Sequence, residues 1–158
     1  LAAWAFDSLW GIEMNSYNKY LRLEVIWKDE DMLELKVSVN NGRYSGITEV
    51  YDQKELLADF ANRLLGFPKG EEILLHSAGE KNSYAYFEMR FYQLDPTGKI
   101  GVQITLEENV ATKYRESEKD KLILELIVEP SAIDKFQKAL IRLAEVEEGV
   151  AELIGIEQ

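Results

Sequence analysis

The chain has 158 residues, 46% of them hydrophobic and none of them cysteine, and 29 acids against 18 bases leave a net charge of −11. That is enough for one ordinary domain with a real core, while the charge argues against nucleic acid and anionic lipid, both of which require a basic patch. The absence of cysteine removes disulfides, thiolate nucleophiles and thiolate metal ligands together, and it fits a reducing, cytoplasmic setting.

Residues 1–19 read as an aromatic arm, with Trp4, Phe6, Leu9 and Trp10 placed to dock on a body formed by residues 20–158. The opening "LAAWAFDSLWG" lacks the length and basic flank of a signal peptide, and no apolar run in the chain approaches the ~20 residues of a membrane span. From Tyr20 the pattern alternates as strands do. Leu21, Leu23, Val25 and Trp27 share one face, a polar "KDED" turn follows, and Leu33, Leu35, Val37 and Val39 share the next. Asn41-Gly42 predicts a type I′ hairpin turn, because both residues tolerate positive φ, and a meander of three strands results.

The period then changes to that of a helix. "DQKELLADFANRLLGFP" sets Leu56, Leu57, Phe60, Ala61, Leu64 and Leu65 along one stripe. Asp52 and Glu55 have capping-box spacing, and Gly66 with Pro68 ends the helix. "EEILLHSAG" is a short strand, followed by "YAYFEMRFYQ" and "KIGVQITLEEN" as a hairpin across Asp95-Pro96 and Gly98. With Tyr92 opposite Lys99, Phe91, Met89, Phe87 and Ala85 lie against Ile100, Val102, Ile104 and Leu106 on a core face. Tyr84, Tyr86, Glu88 and Tyr92 fall on the reverse, amphipathic face, and a two-residue slip would preserve these faces. "NVATKYRESEKDK" reads as a charged, solvated connection. "LILELIVE", apolar on both sides, reads as a central strand, with Leu122, Leu124, Leu126 and Val128 on one side. Pro130 stops it, Ser131 with Asp134 opens a second helix buried along Ile133, Phe136, Leu140 and Leu143, and Gly149 ends that helix before a short terminal strand, "VAELIGI". The expected fold is α+β, a single domain with a mainly antiparallel sheet of about seven strands and two amphipathic helices, in the order βββαββββα.

Chemistry is sparse. His76 is the only histidine, so a nitrogen- or sulfur-rich metal site cannot assemble, and no strained nucleophile turn of the G-x-S-x-G kind accompanies it. It reads as a structural or incidental histidine. Glu107-Glu108 and Glu147-Glu148 offer adjacent carboxylates, but adjacency does not create the gap across a cleft that glycosidic acid–base pairs need. They read as solvated acidic surface. The calcium-loop pattern is missing, and the glycines of "NGRYSG", "LLGFPKG" and "PTGKIG" follow neither nucleotide-binding pattern. No catalysis, cofactor or metal is expected.

The feature that points to a function is aromatic and acidic. Tyr84, Tyr86, Glu88 and Tyr92 combine ring area with charge, and Glu107, Glu108, Glu116, Glu118 and Asp120 add a negative field in the more acidic last third of the chain. Tyrosine is enriched at interface hot spots, and carboxylates pair with arginine or lysine. A basic protein partner is therefore expected, steered in by charge. Two bland alternatives stand beside it: the acids keep the protein dispersed, or the tyrosines pack under the arm or another layer. A carrier of an apolar ligand, enclosed by the two-sided aromatics, and a carboxylate-dependent hydrolase also remain open.

Three stretches, "NGRYSGITEVYDQKELLADFANRLLGFP", "GKIGVQITLEEN" and "LELIVEPSAIDKF", together resemble the WapI-like bacterial immunity proteins encoded beside polymorphic toxins. The shared features are a glycine-containing strand leading into a helix, a G-x-x-G-V-x-I-x-L hairpin strand, and a strand ending in Glu-Pro before a helix. The resemblance spans about residues 33–146 and implies no enzyme activity. It implies binding and neutralisation of a cognate toxin, and it carries no catalytic residues.

Overall fold

The structure is a computed structural model that describes residues 19–70, 72–81, 84–109 and 119–157. The arm residues Trp4, Phe6, Leu9 and Trp10, and most of the charged connection after Asn109, lie outside the described residues. Strands β1 (Lys19–Lys28), β2 (Leu33–Asn41) and β3 (Ser45–Asp52) lead into α1 (Lys54–Leu64). Strands β4 (Leu74–Gly79), β5 (Ala85–Gln93), β6 (Ile100–Asn109) and β7 (Lys119–Val128) follow, then α2 (Pro130–Val146) and β8 (Val150–Ile154).

The eight strands form two antiparallel sheets of four, ordered β3-β2-β1-β8 and β4-β5-β6-β7, where one larger sheet was expected. Width explains the division. A single eight-stranded sheet would be about 38 Å across at ~4.8 Å per strand, and two helices of about 10 Å each would cover only half of its apolar face. Folding the two meanders against each other lets each apolar face cover the other. Leu21, Leu23, Leu35, Val37 and Leu153 of the first sheet share one core with Phe87, Met89, Phe91, Ile104 and Leu126 of the second, closed by Phe60 and Phe136 of the helices.

Several expectations hold in detail. Leu33, Leu35, Val37 and Val39 are buried, and so are Leu57, Phe60, Ala61 and Leu64 of α1 and Ile133, Phe136, Leu140 and Leu143 of α2. Leu56 and Leu65, assigned to the same α1 stripe, are exposed. The β5–β6 pairing is slipped by two residues from that expected, with Tyr92 opposite Gly101 and Phe91 opposite Val102. The faces are unchanged, as a side-chain period of two requires.

Other expectations are overturned. β7 starts at Lys119 and is an edge strand rather than a central one, so its outward Ile123 is exposed. Its edge is tied instead to the segment after β8, where the Ile156 N–H donates to the Ile127 carbonyl at 2.7 Å. The hairpin after β2 turns on Gly42 at φ 90°, with no positive φ at Asn41. The Asn41 carboxamide oxygen accepts from the Arg43 and Tyr44 amides, so the turn has the sign pattern of type II′, with glycine first, and not of type I′. The N-cap position of α2 is Glu129, whose side chain makes no cap bond, and the helix starts on Pro130, as proline's fixed φ favours, and not at Ser131. It ends at Glu147, whose left-handed φ of 60° brings its N–H to the Leu143 carbonyl, with Gly149 beyond in the turn.

Candidate functional site

The outer face of the second sheet carries most of the expected aromatic-acidic group. Even-numbered residues of β5 point away from the core, so Tyr86, Glu88, Arg90 and Tyr92 lie in one column. Register sets Glu107 beside Tyr86, Thr105 beside Glu88, Gln103 beside Arg90 and Gly101 beside Tyr92. β7 adds Lys121, Ile123 and Glu125 to the same rows. Tyr84, just before β5, is 76% exposed.

The tyrosines are not bare. Tyr86 is only 7% exposed; its hydroxyl donates to Glu88 at 2.7 Å, and the Lys81 ammonium lies 5.4 Å from its ring centre. Burial first, and the Glu88 carboxylate second, push its hydroxyl up to about 12, because both penalise a phenolate. The Tyr92 ring lies over Gly101, where a Cβ would sit 2.3 Å from ring carbon Cε2. The glycine therefore supplies the space that the ring fills. The Tyr92 hydroxyl donates to Glu125, and burial followed by this carboxylate raises its ionisation well above the ordinary phenol range. The Arg90 guanidinium stacks 5.0 Å from the Tyr92 ring centre. The face is thus a lattice of rings, carboxylates and three cations, Lys81, Arg90 and Lys121.

The acids divide. Glu107 points outward but is only 3% exposed, with Lys121 Nζ 3.8 Å away, so it is not the solvated carboxylate expected. Its neighbour Glu108 points to the opposite side, as alternation demands. There the Thr48 hydroxyl of the first sheet donates to it at 2.5 Å. Asp120 is paired in register with Glu108 and joins it at the rim of an open cleft with Ser45, Ile47 and Thr48. Glu108 and Asp120 therefore do not belong to the tyrosine face, and Glu116 and Glu118 lie outside the described residues. Glu147 pairs with Lys54 at 3.1 Å. Glu125 was not singled out from sequence. Its signal was available, because it alternates out of phase with Leu124 and Leu126.

A second pair escaped the sequence reading altogether. Asp52 does not cap α1 with its side chain: the N-cap is Gln53, which makes no side-chain cap bond. Asp52 Oδ2 instead lies 2.7 Å from His76 Nε2, with both residues buried, and Oδ1 accepts the Gln53 amide. The His76 ring packs on Phe60, 5.4 Å between centres. Its structural assignment is consistent with this closed setting.

Among the described residues no cluster of three or more metal-ligating side chains occurs, and no helix is long and apolar enough to cross a membrane. Comparisons with known protein families, curated proteins and solved structures give no match.

Proposed function

We propose that this protein is a non-catalytic binding protein that occludes a basic protein partner, and that the partner is a toxin neutralised in the cytoplasm. One observation carries the binding reading: Glu88, Tyr92 and Glu125 stand on the outer side of the second sheet over the buried Tyr86 and Glu107, with exposed Tyr84 at the margin. Rings already held by carboxylates lose little side-chain entropy when a partner covers them. The net charge of −11 steers a cation in, and desolvated tyrosines slow its departure. The toxin is the part that rests on the sequence resemblance.

The other readings have less support. A carrier would need the inner aromatics to line a cavity, whereas Phe91 packs against Phe60, Phe67 and Phe136. A carboxylate hydrolase would need facing acids, whereas Glu107 and Glu108 point to opposite sides of their strand.

The test is coexpression with the product of the gene immediately upstream. The expected result is rescue of growth by this protein, coelution of the pair at low salt, and loss of rescue with the triple substitution Tyr84→Ala, Glu88→Gln, Glu125→Gln. A pair that forms equally at low and high salt would contradict charge steering, and absence of both rescue and coelution would remove the toxin.

A further inference from the structure

Strand β1 contains an irregularity with a consequence for recognition. Strict alternation would place Trp27 inside with Leu21, Leu23 and Val25. Val25 does pair with Leu35, but the next pair is Trp27 with Glu34, so Ile26 is an extra residue and the strand bulges there. A bulge re-aims the side chains that follow it. Trp27 consequently leaves the core for the outer face of the first sheet, where it is 47% exposed. Tyr51 of β3, 53% exposed, meets it edge-on with ring centres 6.0 Å apart. Glu34 stands between them in register.

Carboxylates surround this ring pair. Glu34 foremost, then Asp29 and Glu49, disfavour ionisation of the Tyr51 hydroxyl, so three acids act at one hydroxyl. Glu24, Lys36 and Glu49 form the adjacent row across the strands. Glu30 and Asp31 are in the β1–β2 turn beside Asp29, and Lys28 and Lys36 are the neighbouring bases. Ile26 and Ile47 are also exposed nearby.

Two large rings left in water beside carboxylates match one ligand chemistry. A ring face attracts a cation, and a guanidinium can lie flat on the ring while its N–H groups reach a carboxylate, which a compact ammonium does less well. Phosphate-bearing partners are repelled by the same acids. A second copy placed symmetrically would set this negative patch against itself. We infer that Trp27 and Tyr51, with Glu34 between them and Asp29 and Glu49 around them, form a docking surface for an arginine side chain on a basic segment of a partner protein. This surface lies on the other sheet from the Tyr86–Tyr92 face and does not depend on that face being a binding site.

The test is titration of the isotope-labelled full chain with a hexa-arginine peptide, followed by nuclear magnetic resonance, with hexalysine and hexaglutamate as comparison probes. The largest shifts are expected at the Trp27 indole N–H and at the Glu34, Glu49 and Tyr51 amides. Hexa-arginine should bind more tightly than hexalysine, and hexaglutamate should not bind. Trp27→Ala should weaken hexa-arginine about 5-fold or more, Glu34→Gln should weaken both cationic peptides, and Leu65→Ala, at an exposed position just after α1, should change neither. Trp27 is exposed, so its truncation leaves the core intact. Shifts centred on the second sheet, or unchanged affinity in Trp27→Ala, would overturn the assignment.

Discussion

Asp52 occupies the position just before the N-cap of α1, where a carboxylate normally serves the helix, yet its outer oxygen is committed to His76 at 2.7 Å. Between the two demands the buried partner wins, because an imidazole nitrogen left unpaired inside costs more than a helix amide left to water. Replacing Asp52 with Ala should therefore cost about 3 kcal/mol in urea unfolding, the scale for breaking a buried pair; a loss below about 1 kcal/mol, the scale of a cap alone, would assign the carboxylate to the helix end. Tyr86 makes a second residue-scale prediction. Its folded-state ionisation lies at about 12, against 10.0 for the free phenol, so the folded protein holds this proton more tightly. The resulting stabilisation is complete below pH 10 and disappears as pH rises through about 12. Alkaline unfolding should become less steep in Tyr86→Phe than in the parent, and an identical pH slope would contradict it. The Tyr86–Glu88 contact follows from strand alternation, two residues apart on one face, whereas His76 and Asp52 are 24 positions apart and only the packing of two sheets brings them together.

Elements were easier to read than contacts. Periods of two and 3.6 identified the strands and both helices, because they reflect where Cβ must point in each backbone. Turns and irregularities were harder to place. The Asn41-Gly42 signal located its hairpin correctly but shifted the turn by a residue, and nothing in "LEVIWKDED" announced the bulge at Ile26. The β5–β6 register slipped for a local reason: Tyr92 seeks Gly101, the one position opposite it where a ring can lie on bare backbone. Gly101→Ala should push the ring off and break its bond to Glu125. The expected cost is about 1–2 kcal/mol in urea unfolding, within the range for overpacking, with Tyr92 ionisation moving down toward that of a free phenol. Unchanged stability and an unchanged phenol titration would show that the ring does not depend on this gap. Gly79 is stricter. It has a φ of 77°, and a Cβ there would lie 2.3 Å from the Ala85 carbonyl oxygen, which is backbone and cannot swing away.

At the scale of the whole molecule, the two sheets are joined through β8 and the segment that follows it. β8 pairs with β1, and the segment after it bonds both Lys19 and Ile127, through the Gly155 and Ile156 amides. The last strand therefore connects the sheets, and its Ala151 and Leu153 are fully buried. Leu153→Ala should cost about 3 kcal/mol, as for other buried leucines, and should do so in a single cooperative unfolding transition. Separate melting of two halves would mean that the sheets are not one unit. Gly46 marks their close approach from the other side, since a Cβ there would meet the Leu122 Cδ2 atom at 2.7 Å.

By itself the sequence determined most of the residues that face inward, where the strands and helices run, and the negative charge that any partner must meet. These are local or summed properties, set by backbone geometry and composition. Tertiary structure decided the rest: two sheets instead of one, β7 at an edge, Glu108 parted from Glu107, Asp52 given to His76, and Trp27 turned outward beside Tyr51. Strand pairing is made by backbone groups common to every residue, so alternation assigns faces but not neighbours. Neighbours follow only when the whole apolar surface finds its smallest exposure.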